Sequence, residues 1–203
     1  MQTDSYKTLA APTPESLFKD RGSKFIGYGF HIKTEEEAKE ILEQLWKQHP
    51  KASHICYAWQ LGERYEHYRA NDDGEPGNSA GMPVYGQLQS AGITQALVAV
   101  VRYYGGVNLG VGGLITAYKT SAQLTIEAGQ IVTRTIKQIL RLKFEYPLMN
   151  VVMRIIKEKN LKIADQTMHL DCTVDLAIRE GKLAKIQQRF EAIHGIEVKV
   201  LNA

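Results

Sequence analysis

The chain of 203 residues is 44% hydrophobic and 23% charged, and its formal net charge at pH 7 is +3. These values are typical of a globular protein with one large or two small domains. No apolar run approaches the roughly 20 residues that cross a bilayer. The N-terminal segment lacks the basic start and apolar core of a secretory signal. Since Cys56 and Cys172 lie far apart, we expect a cytoplasmic protein with reduced thiols, no disulfide framework and no membrane segment.

Charge is distributed unevenly along the chain. Residues 1–130 contain 12 Lys or Arg and 14 Asp or Glu, whereas residues 131–203 contain 13 and 8. The basic C-terminal part is compatible with contact to a nucleic-acid backbone. An ordinary solvated surface explains the same charges at least as well.

The first 130 residues predict a mixed α/β domain. A helix is expected from Thr34, which forms a capping box with Glu37, to His49, which precedes a proline. A shorter helix is expected over 82–90. Strands are predicted where apolar, aromatic and β-branched residues cluster: 17–32 (one or two strands), 53–61, 64–70 and 97–101.

Residues 131–203 predict a second domain. Leu140, Leu142, Phe144 and Tyr146 alternate along its first strand and are expected to face the core. The elements expected in chain order are a strand over 138–146, a helix from Pro147, strands over 161–168 and 170–178, a helix over 181–194 and a strand over 196–201. This βαββαβ order is that of the ferredoxin-like fold. The chain is therefore predicted to be α+β, with domains at 1–130 and 131–203.

A glycine-rich segment follows the apolar strand at 97–101. A helix is expected after it, from Leu114 to Ala128, ended by Gly129. The glycines between strand and helix are Gly105, Gly106, Gly110, Gly112 and Gly113. A strand, a glycine loop and a helix start together direct backbone N–H groups at an anion.

The side chains around this loop suit a phosphate or RNA backbone. Arg102 at the strand end and Lys119 one turn into the helix are placed to add charge-assisted hydrogen bonds. Tyr103 and Tyr104 offer a stacking face to a base. The alternative is a tight strand-to-helix connection that needs positive φ, with both tyrosines in the core. The sequence favours neither interpretation.

An acidic loop at 71–81 is the second candidate site. Its carboxylates, Asp72, Asp73 and Glu75, suit a hydrated Mg²⁺ ion or acid–base chemistry. Asn78 and Ser79 add groups that could hydrogen-bond a ligand. Turn chemistry explains the same residues and is favoured, because Asp-Gly and Pro-Gly pairs form turns.

Secondary candidates are Arg21, Lys24, His54 and Cys56. His54 and Cys56 share one face of a strand, as a Cys–His nucleophile or a metal pair would. A buried thiol beside a hydrogen-bonded histidine is the favoured interpretation. No pair of ligands at zinc spacing accompanies them, so no metal and no cofactor are predicted.

Four segments together resemble the IMPACT/YigZ family. They are the SKF at 23–25, the SHICYAW at 53–59, the DDGEPGNSAGMPV at 72–84 and the VVRYYGGVNLGVGGLITAY at 100–118. The resemblance covers essentially the whole chain. It implies an N-terminal α/β sandwich like domain 2 of a small-subunit ribosomal protein, followed by a ferredoxin-like domain. It adds support to the interpretation of the acidic loop as a functional site, because this loop lies within the match. Eukaryotic members carry an extra N-terminal domain that binds a regulator of the starvation response. Because this sequence begins almost directly with the first predicted strand, that partner is not expected here.

Three functions follow as expectations. The first is a cytoplasmic protein that binds RNA or the ribosome and modulates translation, with a translation-related protein as a further partner. The second is an enzyme that holds nucleotide phosphates in the glycine loop. It is less favoured because the serines of such loops and a Walker-type Gly-Lys-Ser/Thr are missing. The third is a protein-interaction module.

Overall fold

The structure, a computed structural model, describes residues 4–201. It divides into a compact N-terminal unit of residues 6–134 and a C-terminal unit of residues 4–5 and 135–201. The division lies at 134/135 rather than at the predicted 130/131. The reason is a strand at Ile131–Thr135, which pairs with an N-terminal strand and not with the C-terminal sheet.

A five-stranded sheet forms the centre of the N-terminal unit. Its strand order is β2-β3-β6-β4-β5, and every neighbouring pair is antiparallel. The helices and strands, in chain order, are β1 (Ser5–Leu9), β2 (Ser16–Asp20), β3 (Ser23–His31), α1 (Glu35–Gln48), β4 (His54–Leu61), β5 (His67–Asn71), α2 (Gly81–Ala91), β6 (Ala96–Tyr103), α3 (Gly110–Ala128) and β7 (Ile131–Thr135). The apolar run thus forms the central strand, as its burial on both faces requires.

The two faces of this sheet carry different cores. Val98 and Val100 of β6 pack with Cys56 of β4 beneath α2 and α3. Ala99 and Ile55 pack on the opposite face, beneath α1. The predicted alternation along β4 is therefore confirmed, and one face of the sheet supports the N-terminus of α3.

The capping box of α1 is present with one difference from the usual pattern. The Thr34 hydroxyl accepts from the N–H of Glu37 at 3.2 Å. The Glu37 carboxylate accepts from the N–H of Lys33 at 2.7 Å, one residue before the cap. The helix ends where predicted, with His49 as its C-cap.

The C-terminal unit has the predicted βαββαβ order. Its elements are β8 (Lys137–Glu145), α4 (Met149–Glu158), β9 (Lys162–Thr167), β10 (Asp171–Arg179), α5 (Glu180–Glu191) and β11 (Ile196–Leu201). They form an antiparallel sheet in the order β11-β8-β10-β9, with Leu140, Leu142 and Phe144 in its core. Tyr146 was wrongly assigned to this core. It lies in a 3₁₀ turn beyond β8 and is 64% exposed, because Pro147 cannot continue the strand.

Several boundaries differ from the sequence prediction. The expected strand over 64–70 is β5 at His67–Asn71, and the helix expected from Pro147 is preceded by a 3₁₀ turn. Strands β1 and β7 were not predicted, since both are short, mix polar with apolar residues and form a separate two-stranded sheet. Helix α3 begins at Gly110, four residues before the predicted start.

Candidate functional site

Arg102 lies at the end of the central strand, on the face that carries α2 and α3. It pairs in register with Phe25 of β3 on one side and with His54 of β4 on the other. Its guanidinium lies 5.5 Å from the centre of the Phe25 ring and 5.5 Å from that of Tyr104. The residue is only 5% exposed. A cation this deeply buried requires a partner, because isolated charges are strongly disfavoured in the interior.

The partner is Glu75 of the acidic loop. Arg102 Nη1 donates to Glu75 Oε1 at 2.6 Å, and the Tyr118 hydroxyl of α3 donates to the same oxygen at 2.8 Å. Burial and the neighbouring thiol and carboxylate raise the pKa of Tyr118, so that it remains a neutral donor. The acidic loop, the central strand and α3 are thereby joined through one carboxylate oxygen.

Part of the Arg102 guanidinium is left without a bond. Its Nε–H is buried and has no hydrogen-bond partner among residues 4–201. A buried N–H without a partner costs about 1–3 kcal/mol. Because a guanidinium presents several donors in a fixed planar fork, an anion at this point could accept from those that Glu75 does not use.

The N-terminus of α3 lies beside Arg102. The N-cap is Leu109, which has no side chain that could accept from the first turn of the helix. The first N–H groups of a helix carry partial positive charge and need acceptors from elsewhere. Gly110 adopts φ +70°, which lets the chain enter the helix at this point.

A cavity of about 540 Å³ unites the glycine-rich segment with the acidic loop. Its walls come from the start of β4, the acidic loop, the end of β6 and the first turn of α3. The lining residues are Ser53, His54, Glu75, Pro76, Arg102, Tyr104, Asn108, Leu109, Gly110, Val111 and Leu114. Residues of the two motifs singled out from the sequence therefore line one cavity. A larger cavity, of about 610 Å³, lies in the C-terminal unit and contains no residue of either motif.

The remaining carboxylates of the acidic loop hold its backbone in place. Asp72 accepts from the N–H groups of Asn78, Ala80 and Gly81 at 2.7–3.0 Å, and so caps the start of α2. Asp73 accepts from the N–H of Ile55 at 2.7 Å. No group of three or more His, Cys, Asp or Glu within residues 4–201 is arranged to hold a metal ion. Asp72 and Asp73 thus fit the turn interpretation, whereas Glu75 belongs to the cavity.

The other polar residues of the acidic loop lie outside the cavity lining. Asn78 adopts φ +61° and gives its backbone N–H to Asp72. Ser79 is fully buried, and its hydroxyl has no partner among the described residues.

His54 and Cys56 have separate environments although they share a strand face. Nδ1 of His54 donates to the carbonyl of Asp73 at 2.6 Å, and the histidine lines the cavity. Cys56 is fully buried and donates to the carbonyl of Asp72 at 3.0 Å. Burial raises the pKa of the Cys56 thiol and keeps it protonated. A buried protonated thiol is a poor nucleophile.

The two tyrosines after Arg102 point in different directions. Tyr104 lines the cavity, is 49% exposed, and donates to Asn108 Oδ1 at 3.1 Å. Tyr103 packs on the α1 face, with its hydroxyl 2.9 Å from His49 Nδ1. Tyr103 was therefore wrongly placed in the site, because successive residues of a strand face opposite sides.

The glycines of the segment have different roles. A Cβ on Gly105 would lie 2.0 Å from the backbone of Gly22, so the glycine lets these two backbone segments lie in contact. Gly106 is needed for its φ of +84°. Gly112 and Gly113 lie in the first turn of α3 rather than in a loop, and a Cβ on Gly112 would meet no neighbour. A close backbone contact thus explains Gly105 and a positive φ explains Gly106, whereas Gly112 has neither explanation.

Lys119 does not join the site. The helix starts at Gly110, which places Lys119 more than two turns along α3. There it lines a different cavity, with residues of α2 and the later part of α3. The expectation that it lies one turn into the helix was wrong because the helix begins earlier. Arg21 and Lys24 are exposed on the β2–β3 hairpin, next to the Gly22 contact with Gly105.

Sequence reasoning missed three contributors to this site. The Tyr118 hydroxyl donates to Glu75. The Ser53 hydroxyl accepts from the Tyr104 backbone N–H, and the Asn108 side chain accepts from the Tyr104 hydroxyl. For Tyr118 a pattern was available, since Leu114, Ala117, Tyr118 and Ala122 recur at the spacing of a buried helix face. Neither Ser53 nor Asn108 has a comparable pattern.

None of the helices within residues 4–201 has the length and apolar character needed to cross a membrane.

Comparisons with known proteins agree on one family. The model of the Impact N-terminal domain matches residues 21–126, which include the whole cavity. The IMPACT family member YigZ of Escherichia coli is 30% identical over 169 residues, which are 82% of this chain and 83% of that protein. The IMPACT family member YvyE of Bacillus subtilis is 33% identical over 70% of this chain and 66% of YvyE.

A solved structure supports the architecture. The crystal structure of a hypothetical protein superposes with a TM-score of 0.75 at 27% sequence identity, and covers 99% of this chain and 98% of its own. The mixed α/β N-terminal unit and the C-terminal sheet unit therefore occur together in a solved protein. With more than half of the chain matched by the family model, the chain belongs to the IMPACT family.

Proposed function

We propose that this protein binds RNA, free or on the ribosome, through the cavity between the acidic loop and α3, and thereby modulates translation. The observation that carries the proposal is the Arg102 guanidinium, a cation that lines the cavity and is held in place by Glu75. The uncapped N-terminus of α3 lies in the same cavity wall. Both features favour the phosphate of a nucleotide.

Glu75 does not oppose this role. Its Oε1 is already bonded to Arg102 and Tyr118, so part of its charge is neutralised within the protein. The pair fixes the guanidinium before any ligand arrives, and a fixed donor loses less freedom on binding. Tyr104, half exposed at the cavity wall, presents a ring face to a base. The translational setting is the expectation that the family resemblance gives.

Binding should be tested with an aspartate placed in the cavity. Val111 lines it, in the first turn of α3, and is 52% exposed. Val111→Asp suits a helix N-terminus, so the fold should persist, but the new carboxylate repels phosphate. Val107→Asp is the matched control, because Val107 is 49% exposed and is absent from the cavity lining. At about 0.15 M salt the Debye length is about 8 Å, which limits the effect of the control.

The measurement is anisotropy of a labelled RNA, together with co-sedimentation with ribosomes across a salt series. We expect Val111→Asp to weaken binding about tenfold or more and the Val107 variant to remain close to wild type. Absence of RNA and ribosome binding even at low salt would reject the proposal. Equal losses in both variants would reject the cavity as the site. A thermal shift with a free nucleotide, but none with RNA, would instead favour the enzyme alternative.

A further inference from the structure

We infer that the RNA taken by this cavity is single-stranded, an inference that rests on the proposed function. Two observations carry it: the depth of Arg102 below the surface, and a row of exposed apolar side chains that continues from the cavity along α3.

The depth of Arg102 excludes a rigid duplex as its ligand. Only 5% of Arg102 is exposed, and the residue lines the cavity. The phosphates of an A-form helix lie on a wide, stiff cylinder, which proteins contact across its grooves and backbone. A duplex of this width and stiffness cannot place one of its phosphates inside a cavity of about 540 Å³. A single strand can do so, because its backbone rotates freely on either side of each phosphate.

The apolar row suits unstacked bases. Tyr104 and Val111 line the cavity, Ile115 follows Val111 by four residues along α3, and the three side chains are 39–52% exposed. Val111 and Ile115 therefore lie on one face of α3. In a duplex the base faces are hidden inside the stack, and this row would meet only charged backbone. In a single strand the faces are available to the Tyr104 ring and the aliphatic side chains.

Charge on the neighbouring hairpin agrees with this occupant. Arg21 is exposed beside Gly22, whose backbone lies against Gly105. A cation at this edge of the cavity can neutralise a phosphate that flanks the one held in the cavity. An apolar protein segment would gain nothing from this charge.

The test compares a labelled RNA of about 12 nucleotides without self-complementarity, long enough for a few stacked contacts, with its duplex. At about 0.15 M salt we expect the single strand to bind about tenfold more tightly or better. Tyr104→Ala should weaken single-strand binding about five- to 150-fold, the range of one lost base stack. Tyr104→Phe keeps the ring and should bind as wild type. Tyr146→Ala removes a tyrosine that is 64% exposed in the C-terminal unit and should have no effect.

The outcomes separate this inference from the proposed function. Equal or tighter binding of the duplex overturns the single-strand inference and leaves RNA binding intact. Tight single-strand binding that Tyr104→Ala does not change also overturns it, because the row would then not hold bases. Failure of both RNAs to bind rejects the proposed function itself. Ribosome association that survives ribonuclease treatment points to a protein partner and rejects both.

Discussion

The Arg102–Glu75 pair offers a quantitative test of how this site is built. Replacement of Arg102 by methionine leaves the Glu75 carboxylate in the interior with only the Tyr118 hydroxyl. The two side chains are 6% and 4% exposed, and the atoms are 2.6 Å apart. Removal of one partner of so buried a pair costs about 3–5 kcal/mol of unfolding free energy. The double variant with Glu75→Gln removes both charges, so its loss should be well below the sum of the single losses, with a coupling of about 2 kcal/mol or more.

Urea unfolding followed by tryptophan fluorescence measures these values in the full chain. The only two tryptophans, Trp46 and Trp59, both belong to the N-terminal unit, so the emission reports on that unit alone. Losses that simply add in the double variant would refute the pairing. A loss below about 1 kcal/mol for Arg102→Met would also refute it, since such values characterise exposed ion pairs.

Three further predictions concern acid stability, thiol reactivity and the glycine segment. Burial and the Arg134 charge lower the pKa of His31, so the unfolded chain takes up the proton first as pH falls through about 6.5. Stability should fall on acidification, and by less in His31→Gln, as urea unfolding at several pH values will show. Cys56, buried and protonated, should react with a thiol reagent only after unfolding. Gly105→Ala should cost about 1–3 kcal/mol through overpacking. Gly112→Ala should leave the protein's stability unchanged or raise it by up to about 1 kcal/mol. Thermal unfolding of the Gly105 and Gly112 variants measures both effects.

Most of the fold follows from local patterns in the sequence. The capping box at Thr34, the alternation along β4 and the glycine after α3 each act over a few residues, and each is present in the structure. Strands β1 and β7 escaped prediction because their partners are far away in the chain. Their stability comes from pairing with each other, and short polar strands have little intrinsic preference for an extended conformation.

The site was predicted only in part, for a related reason. Residue types identified Arg102 and Glu75 as candidates, but nothing in their spacing indicates that they pair across 27 positions. Tyr103 is one strand position away from Arg102 and therefore faces the opposite side of the sheet. Lys119 lies farther along α3 than predicted because the helix begins earlier. Errors of this size leave a fold prediction intact. They remove a residue from a binding site altogether, because a side chain must face the ligand to contact it.

The hydrogen bonds of Asp72 have a consequence for the thermodynamics of binding. Three backbone N–H groups of the acidic loop share this one carboxylate, and the N–H of Ile55 anchors the neighbouring Asp73. The loop is therefore ordered before any ligand arrives, and the entropic cost of ordering it falls on folding rather than on binding. The proposed association with RNA should then resemble the docking of a flexible strand onto a rigid template. Most of the entropic cost of recognition would fall on the nucleic acid and little on the protein.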